Sequence, residues 1–574
     1  MTARERPATS AVEAPPGYWQ REASHYPKPL TPLGASYLIE GINRAFRDVF
    51  EEFGFPLEAL EFREIGGYVY QRMKPLGAGD GAGPTKLPPK FVLWSVLRLH
   101  PAFRKRAARC KEALRSRLDR RFVDRWYAEM RPQLKNDIDR LRGVDLASLS
   151  DEQLAAHLDD LWQFSQQALQ THFLLTLTWF PIIHLTFSCR DHLGYSDADV
   201  LPLLAGLSEA SSEPARALAE LADRIRANEE LKTALVNAQP EALTAVLAER
   251  SPELSAQYVD YMHRYGLRAL RYELVEQSLN ERPELVAQLL QDQLRRPAGV
   301  QQQQERLAAT RARARDKALA ALPTEELRRE FSSVLEEAQR AYPIREENEF
   351  YTVSVPLALG RVAVLEAGKR LISNGALSSA DDVFLFRYDE VVSALRGRLP
   401  SRELIEQRRR ELRAAESFDP PPSYGDEPPV PPLDVFPPET RTAMEVLMYA
   451  TEKVFEPERS NRREATGARE LKGIAAATGS YSGPARVIMS EEQFDRLQPG
   501  DVLVCPVTSP VWSILFAKVG ALVTDSGGVL SHPAIIAREY GIPAVVATGN
   551  ATQIIPDGAN VIVNGDTGVV QLVS

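Results

Sequence analysis

Residues 522–546 read Leu522-Val-Thr-Asp-Ser-Gly-Gly-Val-Leu-Ser-His532-Pro-Ala-Ile-Ile-Ala-Arg-Glu-Tyr-Gly541-Ile-Pro-Ala-Val-Val546. The pattern predicts strand, glycine turn, helix, turn and strand. Leu522 and Val523 end a strand, and Gly527 and Gly528 permit positive φ and close backbone approach. Ser531 is a favoured N-cap residue type. Pro533 fits a first helical turn, where its missing N–H costs nothing. The helix runs through Ala534 to Glu539, Gly541 stops it, and Ile542 to Val546 form the next strand. His532 therefore stands among unpaired backbone N–H groups at the positive end of a helix dipole. That setting disfavours imidazolium, leaves the ring neutral and nucleophilic, and suits a phosphoryl group carried on it. A lone histidine in such a place more often caps or packs, so the flanking residues decide.

Those flanks are Thr524 to Val546, Gly500-Asp-Val-Leu-Val before them and Asp557-Gly-Ala-Asn-Val-Ile-Val-Asn-Gly-Asp-Thr-Gly568 after. Together they closely resemble the phosphohistidine signature of the phosphoenolpyruvate-utilising enzymes. The resemblance implies a mobile α/β domain over 471–574, whose histidine is phosphorylated in one place and swings to another. It makes His532 the carrier, supported by Thr524, Gly527, Gly528, Ser531, Arg538 and Glu539. Pro533 stands where alanine is common in the family, and it is compatible with a helix start.

The length of 574 residues predicts several domains. Hydrophobic content of 44% with 26% charged residues is that of an ordinary soluble protein. A net charge of −9 argues against nucleic acid as a partner. Cys110, Cys189 and Cys505 lie far apart and imply neither a disulfide framework nor a metal site, so a cytoplasmic setting is expected. Residues 1–14 are polar and rich in Ala and Pro, which predicts a disordered start rather than a signal peptide. No apolar run reads as a membrane span. The most apolar stretch, Phe173 to Phe187, is interrupted by Pro181 and His184 and predicts a buried helix.

Residues 15–415 predict a mainly helical domain, with apolar residues recurring at three and four in Tyr37 to Phe50 and Leu154 to Leu169. The proline-rich entry from Tyr18 to Leu33 predicts an extended arm over that body. Gly66 to Gln71 predicts a short strand, and Met73 to Pro89 a loop. Residues 416–470 predict a semi-rigid proline-rich linker, a helix and a hinge between Glu456 and Glu470. Alternating strands and short helices follow, so the whole chain is expected to be α plus α/β.

Two central stretches, Tyr258-Val-Asp-Tyr-Met-His-Arg-Tyr-Gly266-Leu-Arg268 and Arg345-Glu-Glu-Asn-Glu-Phe-Tyr351 with Arg361, are similar to the helical domain of rifampin phosphotransferase-type proteins. Arginine holds phosphoryl oxygens through its planar fork, so Arg268, Arg345 and Arg361 are candidate clamps. His172, His184 and His192 lie in or beside an aromatic-rich segment that suits a hydrophobic acceptor. His184 is the preferred candidate for the base that deprotonates an acceptor hydroxyl.

No glycine-rich phosphate loop with a following lysine is visible, and no ATP-grasp domain is recognised. The resemblance therefore implies a division of labour like that of phenylphosphate synthase. A separate ATP-grasp subunit, holding ATP with Mg²⁺, would charge His532, which would pass the phosphoryl group to a small phenolic or other hydrophobic hydroxyl acceptor. No metal site is assigned to this chain, and neither nucleic acid nor membrane is expected as a partner. The alternatives are a phosphocarrier that serves another protein, or a component of an antibiotic-type phosphotransferase.

Overall fold

The computed structural model describes residues 14–573, apart from 80, 82–85, 296–299, 456–469, 509–511, 513, 514, 517 and 530. The expected disordered start and the expected hinge fall on residues outside this set, save Ala14 and Glu470. The architecture is a large helical body followed by an α/β sheet domain, so the chain is multidomain α plus α/β.

The helical body is built on the helix Pro32–Phe53, which packs along Asp151–Leu174. Thr31 caps the first of these by accepting from Gly34 N, with Pro32 in the first turn, and Gly54 ends it at φ 86°. Gly41 lets the two helices approach: a Cβ there would lie 2.3 Å from Gln166 Oε1. Leu33, Tyr37, Leu154, Leu158, Phe331, Leu335 and Val364 form the shared core.

A small antiparallel sheet closes one flank: β1 (Trp19–Arg21), β2 (Leu57–Ile65), β3 (Tyr68–Pro75) and β4 (Ser423–Tyr424), in the order β2-β3-β1-β4. The periodicity argument anticipated only part of β3. It missed β2, whose alternation is broken where the register shifts between Leu57 and Ala59, although Gly66-Gly67, both at positive φ, supply a hairpin turn. The arm over the body is β1 with its flanks. The proline-rich stretch is drawn in here as well: Pro422 O accepts from Arg21 N, and Tyr70 donates its hydroxyl to Pro421 O. The helix Pro438–Phe455 then packs through Ala443, Val446 and Ala450 against Phe53 and Phe180. Residues 416–451 are thus part of the body's packing rather than a free spacer.

Two helical runs, Asp151–Leu193 and Glu325–Ser373, are long and apolar enough to cross a membrane by length and composition, contrary to the reading of the sequence. Their most apolar windows are 56% and 67% buried inside the protein, which is the position of core helices.

The second domain is an eight-stranded sheet in the order β5-β12-β11-β7-β8-β9-β10-β6. Its strands are β5 (Glu470–Lys472), β6 (Ile474–Ala477), β7 (Ser480–Val487), β8 (Val502–Cys505), β9 (Ala521–Thr524), β10 (Ala544–Val546), β11 (Asn560–Asn564) and β12 (Val569–Leu572). β7, β8, β9 and β10 run parallel, and β8, β9 and β10 are nearly all apolar and fully buried, as strands covered on both faces are. The helix His532–Glu539 crosses from β9 to β10. It places His532 beyond the C-terminal end of β9, where α/β sheets bind ligands.

The two parts share packing. Val529 and Ile535 join the core of the helical body. Phe494, Trp512, Leu515, Phe516 and Ile536 share a cluster with Tyr258, Tyr261 and Val286. Arg271 pairs with Glu491 at 2.7 Å, and Lys518 with Asp292 at 3.1 Å, across the same boundary.

Candidate functional site

The turn before His532 is set by its own backbone. Gly527 sits at φ 118°, and a Cβ there would lie 2.8 Å from Ser531 Oγ. Ser531 has N-cap geometry, yet its hydroxyl does not cap the helix; it donates to Gly528 O at 2.6 Å and locks the loop. The first-turn N–H groups therefore keep no side-chain acceptor at Ser531, which preserves an anion-binding helix end. Thr524 donates its hydroxyl to Ser526 O at 2.7 Å and accepts at its carbonyl from Thr548, fixing the end of β9.

The two ring nitrogens of His532 have different surroundings. Nδ1 lies 3.0 Å from Thr508 Oγ1. Nε2 has no hydrogen-bond partner among the described residues and faces Glu346 Oε2 at 3.6 Å. The side chain is 13% exposed. Burial lowers its pKa; Glu346 opposes that shift, and Arg345 and Arg268 reinforce it. The resting imidazole is neutral. When Nδ1–H donates to Thr508, the lone pair is on Nε2.

The wall facing Nε2 comes from the helical body. The short helix Ile344–Glu349 carries Arg345, Glu346 and Glu349. Arg345 rests over the Trp179 ring at 5.2 Å and Arg268 over Phe350 at 4.4 Å. Aromatic faces hold the guanidinium planes in place. Burial lowers the pKa of both arginines, though an arginine so shifted keeps its charge. His532, Arg268 and Arg345 are thus brought together.

Arg538 and Glu539 follow on the helix that begins at His532 and hold it against its surroundings. Arg538 donates to Ala476 O at 2.9 Å and to the Tyr342 hydroxyl at 3.4 Å. Glu539 accepts from Ser208 N at 3.3 Å, and burial pushes its carboxyl up to about 7.

Arg361 is placed differently. It pairs with Glu281 at 2.9 Å and donates to the carbonyls of Leu274 and Val275, so it fastens the 274–281 segment rather than facing Nε2. His184 packs edge-on against Phe180, and the charges that act on it are Asp119, Arg117 and Glu337, none of which acts on His532. His192 is exposed. His172 is nearer the site: its Nδ1 lies 3.0 Å from Thr352 Oγ1, and burial together with His25 and Arg345 lowers its pKa to about 3.

Sequence reasoning missed Glu346, Glu349, His25, Glu22 and Tyr272. His25 in the arm lies 3.0 Å from Glu22, with its ring 5.1 Å from Tyr272. Burial alone would lower the His25 pKa, but the Glu22 carboxylate outweighs it and raises it. The arm is pinned at Thr31, whose N–H donates to Glu273 at 2.8 Å. The available signal was the density of charge in Arg345-Glu-Glu-Asn-Glu beside an apolar helix. Among the described residues no group of three or more His, Cys, Asp or Glu side chains converges as a metal site.

Comparison with known proteins places this geometry. The profile of the PEP-utilising enzyme mobile domain matches residues 497–568, which contain His532. The profile of the rifampicin phosphotransferase fourth domain matches residues 175–346, which contain Arg268, Arg345 and Glu346. The chain is 29% identical to the "uncharacterized phosphotransferase YvkC" of Bacillus subtilis, over 72% of this chain and 48% of that protein. It is 27% identical to a rifampicin phosphotransferase of Streptomyces sviceus, over 69% of this chain and 43% of that protein. It is also 29% identical to chondramide synthase cmdD of Chondromyces crocatus, over 96% of this chain but 14% of that protein. The chain therefore spans about half the length, or less, of these relatives.

Proposed function

We propose that the chain is the carrier and acceptor part of a histidyl phosphotransferase. In this reading His532 receives a phosphoryl group from ATP through a separate ATP-grasp subunit, where Mg²⁺ is held. It then passes the group to the hydroxyl of a small hydrophobic acceptor, phenolic or a related alcohol. The observation that carries the reading is the Nε2 of His532 without a hydrogen-bond partner among the described residues, opposite two ring-supported arginines, Arg268 buried and Arg345 half-buried. Enclosure also favours a small acceptor over a protein, because a 13%-exposed imidazole leaves no room for a folded partner in this pose.

The chemistry follows from these residues. Nδ1–H, donated to Thr508, leaves Nε2 as the nucleophile that attacks the donor phosphorus. In the second half-reaction an acceptor oxygen attacks the phosphorus in line. The O–P bond forms, the Nε2–P bond breaks, and the pair returns to Nε2. Because the Nδ1 proton stays in place, the departing imidazole is neutral. Arg268 and Arg345 stabilise charge on the equatorial oxygens, and positioning supplies most of the remaining effect.

The test is direct. The full chain is charged with ATP, Mg²⁺ and the ATP-grasp protein, or chemically with phosphoramidate, and offered phenols. One acid-labile phosphate on Nε2 of His532, identified by peptide mapping and ³¹P NMR, and its transfer to a hydroxyl are expected. Thr508→Val should slow both half-reactions about two- to tenfold, the worth of one hydrogen bond. Phosphate on serine, or full labelling of His532→Ala, overturns the reading.

A further inference from the structure

We propose that Glu349, in place of His184, takes the proton from the acceptor hydroxyl as the phosphoryl group leaves His532. The inference rests on the phosphotransfer reading above and names a residue that neither matched profile covers, since they span 175–346 and 497–568.

Position comes first. Glu346 and Glu349 are three residues apart on the helix Ile344–Glu349, so they share a face, with Cβ atoms about 5–6 Å apart. Glu346 stands at Nε2 of His532. An acceptor oxygen attacks in line from the far side of the phosphoryl group, and Glu349 is the next carboxylate along the face that meets Nε2.

Availability comes second. Oε1 of Glu349 is buried with no hydrogen-bond partner among the described residues. A buried carboxylate oxygen without a partner is costly, and such groups mark a missing ligand or a working site. The groups around it are Arg345 and Glu346 on its own helix, His25 and Tyr26 of the arm with Glu22 behind them, and Tyr272. Tyr26 and Tyr272 give this corner an aromatic lining, which suits a phenolic ring.

The other bases are committed. Nδ1 of His172 faces Thr352, and burial holds its pKa at about 3, too weak to accept a proton from a phenol. His25 is engaged with Glu22, whose carboxylate raises its pKa against the effect of burial. His184 answers to a different set of charges. Burial, opposed by His25, pushes the Glu349 carboxyl up to about 8, which makes it a stronger base than an ordinary carboxylate and partly ionised near neutrality. The step balances: the acceptor O–H proton goes to Glu349, the oxygen pair goes to phosphorus, and the Nε2–P pair returns to the imidazole. Glu349 then returns the proton to solvent as product leaves.

The experiment uses the full chain charged at His532 with phosphoramidate, with phenol and para-nitrophenol as probe acceptors. With the wild-type protein, transfer to phenol should rise with pH through about 8 and then level. Glu349→Gln should slow transfer to phenol about a hundredfold or more and abolish that rise. The deficit should shrink to a few-fold with para-nitrophenol, which is already ionised and needs no base. Glu349→Asp, which keeps a carboxylate, should recover part of the rate. Thermal melting and the extent of His532 charging show that each variant is folded. A Glu349→Gln protein with the wild-type rate and pH profile overturns the inference. So does an equal deficit with both phenols, the mark of a structural role. If the charged wild-type protein transfers to no hydroxyl at all, the proposed function itself falls.

Discussion

Oε2 of Glu346 lies 3.6 Å from Nε2 of His532, in the space that a phosphoryl group on that nitrogen would need. In the uncharged protein the Glu346 carboxylate acts on both Arg268 and Arg345 as their counter-charge. A phosphorylated His532 would bring a dianion to the same two cations. Carboxylate and phosphoryl group then compete for one clamp, and charging the carrier must move one of them.

The same arrangement fixes the direction of two shifts in His532. Glu346 raises its pKa, and Arg345 lowers it. Glu346→Gln should therefore move the imidazole titration to lower pH, and Arg345→Ala should move it to higher pH. Ring-proton NMR across a pH series measures both. Shifts of the same sign in the two variants would show that Glu346 and Arg345 do not act on Nε2 as opposed charges.

Arg268 and Arg345 should separate from Arg361 when each is replaced by lysine or alanine. At the clamp positions, lysine loses the planar fork, and transfer from charged His532 should fall by roughly ten- to a thousandfold with little change in melting temperature for the lysine variants. Arg361→Ala breaks the buried pair with Glu281, which is 2.9 Å long, and should cost roughly 3 kcal/mol of stability. Its residual folded fraction should transfer at nearly the wild-type rate. Stopped-flow quench of charged protein, with melting curves alongside, distinguishes the two outcomes.

What was legible in the sequence was local. The strand, glycine turn and helix that present His532 depend on residues within one short stretch, where φ preferences and capping act. The carrier sheet followed from alternating β-branched runs. Arg268 and Arg345 were reachable because each lies in a stretch that resembles the helical domain of rifampin phosphotransferase-type proteins. His25, Glu22 and Glu349 were not, since they meet only when the arm folds back over the helix Ile344–Glu349, more than three hundred residues along the chain. His184 attracted the role of base through its apolar neighbours Ile182 and Ile183. In the fold that flank is core packing around Phe180, with Asp119 and Glu337 as the nearby charges. The β2 strand was missed because a single hairpin inside a helical region gives too short an alternation to outweigh its surroundings.

Docking of the carrier domain should depend on pH through Glu539. Its carboxyl is raised to about 7 when buried against Ser208, from a usual value of 4.5. A raised pKa means that the docked state holds a proton which the separated state releases. Docking is therefore strongest below about 4.5, weakens as pH rises to about 7, and is flat above that. Inter-domain fluorescence transfer on the full chain, measured across this range, should show the slope in the wild type and lose it in Glu539→Gln. An unchanged slope in that variant would assign the effect to another group.

The last prediction concerns motion. Charging and transfer call for two differently lined, water-excluded sites, and in-line attack requires contact within a few ångströms. One imidazole in a fixed place cannot serve both. In the structure His532 faces the helical body, the pose suited to transfer. Under the proposed function, rigid-body rotation of residues 471–574 would carry it to a charging subunit. The boundary is not weak: Val529 and Ile535 sit in the core of the body, and Lys518–Asp292 and Arg271–Glu491 pair across it. Leaving this pose exposes apolar side chains, so under the proposed function a charging subunit would have to offer a surface of comparable character. The tie to cut or fix is the 3.1 Å pair Lys518–Asp292. In a Lys518→Cys, Asp292→Cys protein joined by a short bifunctional reagent, charging by ATP and the ATP-grasp protein should fall to background. Transfer to phenol from protein charged before cross-linking should stay near the uncross-linked rate. Charging at the normal rate in the cross-linked protein would show that His532 is phosphorylated without leaving the helical body, and the swivel would be excluded for this chain.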